Sequence, residues 1–247
     1  MLRRIPFLLF LLIALGCGKP GGGSDPGVEV LPSTPPPSPK AFRASPRNAY
    51  RPTFVFADGK KASAGTAFIV KAPSGKKLAM TAAHVLDPKE WAAVKSVLLS
   101  TMQDNPVAKL VGKPFYVGKG FDELPMLDRS AGIFDTSEDF AIWNLPEKAA
   151  LEVLELAEGE PKVNEWVWII GQEPGNPLLA YRCKVTVVKG GSFLLEATDR
   201  HAPRGFSGGP IVNGEGKVVG TMLAGDPTGT SRQGATVGNI RKRIAGQ

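Results

Sequence analysis

A serine stands among glycines in the run Gly205-Phe206-Ser207-Gly208-Gly209-Pro210. Little side-chain bulk surrounds its hydroxyl, and small residues after it let a substrate approach the backbone closely. Serine becomes a nucleophile when a base takes its proton. The chain has two histidines, and one closes the phrase Thr81-Ala82-Ala83-His84. An imidazole base in turn needs an acid to orient it. Asp139, in Ser137-Glu138-Asp139-Phe140-Ala141-Ile142, begins an apolar strand pattern in which a carboxylate can be buried and held rigidly. Asp122, Asp128 and Asp135 are rivals, in turn-like segments that favour solvated carboxylates. Taken singly, Ser-Gly-Gly is a turn and a lone histidine a structural or surface residue. Taken together, the three side chains could carry acyl transfer.

Short β-rich runs surround these residues and must position them. Thr53-Phe54-Val55-Phe56 leads into Asp58-Gly59, a hairpin signal. Gly65 to Val70 and Lys77 to Thr81 precede the histidine, and Phe140 to Trp143 follows the aspartate. Val107 to Val111, Phe115 to Val117, Trp166 to Ile170, Val185 to Val188, Ser192 to Glu196, Gly209 to Val212 and Val218 to Met222 read as further strands. So many short strands predict an all-β sandwich or barrel. Helical patterns cover only Pro88 to about Leu99, Glu147 to Leu156 and Val237 to Ile244.

The order His, Asp, Ser in these phrases resembles the trypsin/chymotrypsin-like serine proteases. Gly65-Thr66-Ala67-Phe68-Ile69-Val70 and Ile169-Ile170-Gly171 with Pro174-Gly175 add to the likeness. Thr198-Asp199 through Arg204-Gly205 looks most like the high-temperature-requirement proteases of bacterial envelopes. The resemblance covers about residues 50–247 and implies a chymotrypsin-like double barrel. That is two six-stranded antiparallel β-barrels, at about 51–150 and 151–236, and a short C-terminal helix at about 237–246. It implies that Ser207 attacks, His84 takes the proton, Asp139 fixes the imidazole, and the N–H groups of Gly205 and Ser207 form the oxyanion hole. The pocket base falls near His201 and Ala202 and its wall near Leu223, Ala224 and Gly225. No acid occupies that base, so the expected preference is a small or medium apolar side chain, with His201 either a second polar determinant or a surface loop residue.

Several positions depart from the family pattern. Val85 replaces a cysteine found after the histidine in many animal members. Phe206 stands where those members carry the Asp that pairs with a newly cut N-terminus, and no Ile-Val-Gly-Gly start lies near residue 50. Activation by that route is not expected. No PDZ-like interaction domain is expected after the protease.

The first 17 residues read as an export signal. Arg3 and Arg4 precede an apolar run from about Ile5 to Leu15, too short to span a bilayer as a helix. Ala14-Leu15-Gly16-Cys17 resembles a bacterial lipobox and makes Cys17 the expected site of lipidation; simple secretion is the alternative. Residues 18–50 are rich in Pro and Gly, with no apolar period, and read as a disordered linker. These features place the chain on the periplasmic or cell-surface face of a bacterial membrane, tethered through Cys17.

The formal charge of +7 is spread without a long basic run, which disfavours nucleic acid as a partner. Two cysteines are present, and Cys17 belongs to the targeting segment, so the core rather than a disulfide must hold the fold. Cys183 reads as a buried structural thiol. Neither a cofactor nor a metal is called for. The expected partners are protein or peptide substrates. A catalytically silent binding protein of the same fold, and an esterase using the same residues, stay open as alternatives.

Overall fold

The structure is a computed structural model that describes residues 48–101, 106–146, 149, 151–171, 179–198, 204–226 and 229–247. Cys17, the leader and most of the linker lie outside the described residues, as do Pro174-Gly175.

The first half begins with β1 (Arg51–Phe56), β2 (Lys61–Ser63), β3 (Phe68–Lys71) and β4 (Lys77–Thr81). Helix α1 (Pro88–Ala93) leads to β5 (Val94–Ser100), β6 (Pro106–Val111), β7 (Tyr116–Val117), β8 (Met126–Asp128), β9 (Ile133–Phe134) and β10 (Ala141–Asn144). They build two four-stranded sheets, ordered β2-β1-β5-β6 and β3-β4-β10-β7, and a small β8-β9 hairpin. A Tyr50–Ala67 bridge ties the chain just before β1 to the chain just before β3. One closed barrel follows, β11-β12-β13-β16-β15-β14. Its strands are β11 (Trp166–Gly171), β12 (Leu179–Lys189), β13 (Ser192–Ala197), β14 (Pro210–Val212), β15 (Val218–Gly225) and β16 (Ser231–Thr236). The C-terminal helix α2 (Val237–Ile244) falls where its sequence pattern put it. The all-β class and one six-stranded barrel therefore match expectation, whereas the first half is described as two sheets.

Alternation along the strands sorts side chains into three cores. Phe54, Ile69, Ala79, Val97, Ala141 and Trp143 fill the first half. Val167, Ile169, Cys183, Val185, Phe193 and Leu195 fill the barrel, where Cys183 is fully buried. The intervening residues Met80, Ile142, Trp168 and Ile170 share a third core with Ile240 and Ile244. This seam fastens the sheet carrying β4 and β10 to the outside of the barrel, as period-2 burial on two packed layers requires.

Two expected helices are corrected. The one from Pro88 stops at Ala93, because Val94 turns extended (ψ 123°) and β5 pairs with β1, burying Val94, Val97 and Leu99. Its short first part persists because Asp87 accepts the Lys89 N–H and Glu90 accepts the Asp87 N–H. The described part of 147–156 is an extended strap. Leu154 donates to the Ile69 carbonyl at 2.8 Å, and Leu156 bridges Val218. Those partners on β3 and β15 replace the intrahelical bonds.

Candidate active site

His84 lies in a single helical turn, Ala83–Val85, just after β4. Asp139 sits just before β10, and the register pairs Ala141 with Thr81. Two antiparallel neighbours thus deliver the histidine and the aspartate to one end of one sheet. Asp139 is fully buried, and the His84 side chain is 16% exposed. Asp139 Oδ2 lies 2.7 Å from His84 Nδ1. Its other oxygen, Oδ1, accepts the N–H groups of Ala83 at 2.8 Å and His84 at 3.0 Å. A carboxylate with both oxygens engaged can be buried as an anion. The ring is therefore oriented with its Nδ1 edge toward the protein.

Of the three rival aspartates, Asp128 and Asp135 are engaged elsewhere, while Asp122 borders the cleft beside His84. Asp128 meets Lys189 at 2.7 Å, and Asp135 accepts the Ser137 N–H at 2.8 Å.

The histidine turn has a second support that the sequence reading missed. Trp91 of α1 donates its indole N–H to the Ala83 carbonyl at 2.7 Å, fully within the protein. A short helix of mixed polarity gave no sign that its tryptophan would face this turn.

The segment carrying Asp139 is pinned to the barrel. The Gln233 side chain donates to the Phe134 carbonyl at 2.5 Å and accepts the Phe134 N–H at 3.2 Å. The hydroxyls of Thr136 and Ser192 meet at 2.6 Å, and Arg243 of α2 donates twice to the Ser137 carbonyl, at 2.9 and 3.1 Å.

Ser207 precedes β14 and is half-buried. Its carbonyl accepts the Thr66 N–H at 2.8 Å, and the Thr66 hydroxyl donates to the Gly205 carbonyl at 2.7 Å. Thr66 is tied in turn to the histidine strand, since the Thr81 hydroxyl donates to its carbonyl at 2.7 Å. Gly208 has φ +83°, and a Cβ there would lie 2.2 Å from Thr81 Oγ1 and 2.5 Å from Ala82 N. Only glycine fits so close to the residues leading into His84. The serine loop and the histidine turn are thus brought together. Ser207 Oγ also reaches the Leu223 carbonyl on β15 at 3.5 Å.

Gly205, at φ +83°, turns the chain into this loop. Phe206 is fully buried in the barrel core, with its ring 5.2 Å from that of Tyr181. Leu223, Ala224 and Gly225, expected to wall the pocket, form the end of β15. His201 and Ala202 lie outside the described residues. Beside His84, a cleft of about 410 Å³ is bordered by Trp91, Gly118, Gly120 and Asp122.

Known proteins share this fold. The model of the trypsin-like peptidase domain matches residues 65–220, which contain His84, Asp139 and Ser207. The chain is similar to the active form of the Rv3671c protease from M. tuberculosis, with a TM-score of 0.55 at 19% identity, over 81% of this chain and 80% of that one. The inactive form of the Rv3671c protease matches with a TM-score of 0.54 at 18% identity, over 81% of this chain and 88% of that one. At such identity these likenesses establish the shared fold. No curated protein matches in sequence.

Proposed function

This chain belongs to the trypsin-like peptidase domain family and is a serine endopeptidase by that membership, and we propose that it works through Ser207, His84 and Asp139 as an exported, membrane-tethered enzyme. The observation that carries the reading is the Asp139–His84 pair at 2.7 Å, reached by a buried carboxylate beside the serine loop. Ser207 Oγ bonds to the substrate carbonyl carbon while its proton passes to His84 Nε2. The negative oxygen is received by the N–H groups of Gly205 and Ser207; such donors are each worth ~10²–10³ in rate. His84 then protonates the leaving amine as the C–N bond breaks. Water repeats the sequence: His84 takes its proton, and Ser207 leaves with that proton restored.

Asp139 keeps its proton off throughout, and holds Nδ1–H while the ring is cationic. Burial of Phe206 supports a serine loop held in place without a newly cut N-terminus.

Export is supported by Arg3, Arg4 and the apolar run to Leu15, and tethering by the lipobox-like Ala14-Leu15-Gly16-Cys17. The address is the outer side of a bacterial membrane, with the domain of residues 51–247 held away by the linker of 18–50. Hydrolysis of casein and of short-chain esters by the full chain tests the activity. Casein cleavage lost in Ser207→Ala supports it, and ester cleavage alone contradicts it. Fractionation tests the address. Cys17→Ala should move the protein from membranes to the soluble fraction, and unchanged fractionation would contradict lipidation.

A further inference from the structure

One peptide unit stands between Trp91 and Asp139. The Ala83 carbonyl accepts the Trp91 indole N–H at 2.7 Å. The N–H of the same peptide belongs to His84 and donates to Asp139 Oδ1 at 3.0 Å. The run is therefore indole N–H, Ala83 carbonyl, His84 N–H, carboxylate. Hydrogen bonds at the two ends of one amide polarise it in the same sense, so each strengthens the other. Water, which would weaken both, is kept out: Asp139 is fully buried, Ala83 is 2% exposed and Trp91 5%.

The indole is the principal partner of that carbonyl. The Leu86 N–H, which closes the helical turn, reaches it only at 3.4 Å. Packing fixes the ring. It meets Phe54 edge-on, with centroids 5.3 Å apart, and lies 5.6 Å from Trp143. Its helix is capped at its start by Asp87 and Glu90. Trp143 supplies the contrast. Its indole N–H is also buried, in the same aromatic cluster, and has no hydrogen-bond partner among the described residues. Ring packing and the hydrogen bond are thus separable within one cluster.

We propose that Trp91 is a positioning residue for the His84–Asp139 pair. The inference rests on Ser207, His84 and Asp139 acting together. The Ala83–His84 peptide plane ends at the His84 Cα, so a tilt of that plane swings the imidazole. The Trp91 N–H and Asp139 Oδ1 hold the plane from opposite edges, which leaves Oδ2 to meet Nδ1 at 2.7 Å. Without the indole donor, the carbonyl keeps only the long Leu86 bond and turns toward the cleft that Ala83, His84 and Trp91 line, where water can satisfy it. The N–H of the plane then leaves Asp139, and the ring loses its aim at Ser207. The bond itself makes no contact with substrate, so its loss falls on kcat rather than KM.

The test compares Trp91→Phe with Trp143→Phe in the full chain, by kcat and KM on a peptide substrate, thermal melts and fluorophosphonate labelling of Ser207. Both variants trim the same ring atoms from the same cluster, and only the first removes a hydrogen bond. Trp91→Phe should lose about tenfold or more in kcat with little change in KM, while Trp143→Phe lowers the melting temperature and keeps kcat. Equal kcat in the two folded variants overturns the role of Trp91 and leaves the serine reading standing. A folded wild-type chain that takes no label overturns both. Should either phenylalanine variant fail to fold, replacing Trp91 by 3-benzothienylalanine decides, since sulfur then takes the place of the N–H in a ring of the same shape. A fall in kcat in that protein supports the role, and an unchanged kcat overturns it.

Discussion

Asp139 holds His84 by ring and by main chain at once: Oδ2 lies 2.7 Å from Nδ1, and Oδ1 accepts the His84 N–H at 3.0 Å. One carboxylate therefore sets both where the histidine turn sits and which way its ring faces. Asp139→Asn keeps the shape but presents an amide to donors it must accept from. The expected loss is about 10³–10⁴ in kcat, the scale of a ring held in the wrong tautomer. Steady-state kinetics on a peptide substrate, with a thermal melt to show the variant folded, check this.

Gly171 and Phe206 form a second close pair. A Cβ on Gly171 would begin 2.5 Å from Phe206 Cδ1, so the ring must move. Overpacking of this kind costs ~1–3 kcal/mol. Phe206 precedes Ser207, so the displacement reaches the nucleophile, and about 1 Å of misplacement is worth roughly 10²-fold. Gly171→Ala should keep its β circular dichroism and lose about that factor in kcat/KM.

Thr66 connects the halves of the site, because its hydroxyl holds the Gly205 carbonyl at 2.7 Å. Thr66→Val keeps the volume and leaves that carbonyl without its donor, at a cost of ~1–3 kcal/mol. The loss should appear in kcat, by about tenfold or more, with little change in KM. Thr66→Ser retains the hydroxyl and should restore the rate. A purely structural role would lower the melting temperature without splitting kcat from KM.

The Asp128–Lys189 contact predicts a pH dependence of stability. The Lys189 ammonium, with help from the Ser130 hydroxyl, holds the Asp128 carboxyl well below the usual carboxylate range. Its folded value therefore lies below its unfolded one. The stabilisation is present above the unfolded value, ~3.9, and is lost as pH falls through the folded one. Denaturant melts of wild type and Asp128→Asn should differ by a constant amount from neutral pH down to about 4, then converge.

Much of the site was legible because its residues announce themselves locally. His84, Asp139 and Ser207 each sit beside a strand whose alternation is plain, and β4 and β10 proved to be neighbours. What failed was decided by tertiary pairing. Val94 to Leu99 fits a helix or a strand, and pairing with β1 selected the strand. β16 buries Arg232 and Gln233, polar residues that no hydrophobic period reveals. Thr66 and Trp91 act through bonds to distant carbonyls, on Gly205 and Ala83, that sequence spacing does not encode.

The central claim is that Ser207 is a nucleophile activated by His84. Its most direct measurement is fluorophosphonate labelling of the folded full chain, with the modified peptide identified by mass spectrometry. One adduct is expected, on Ser207, abolished in Ser207→Ala and slowed at least about 10³-fold in His84→Ala. A folded wild-type chain that takes no label, or that labels on another residue, would contradict it.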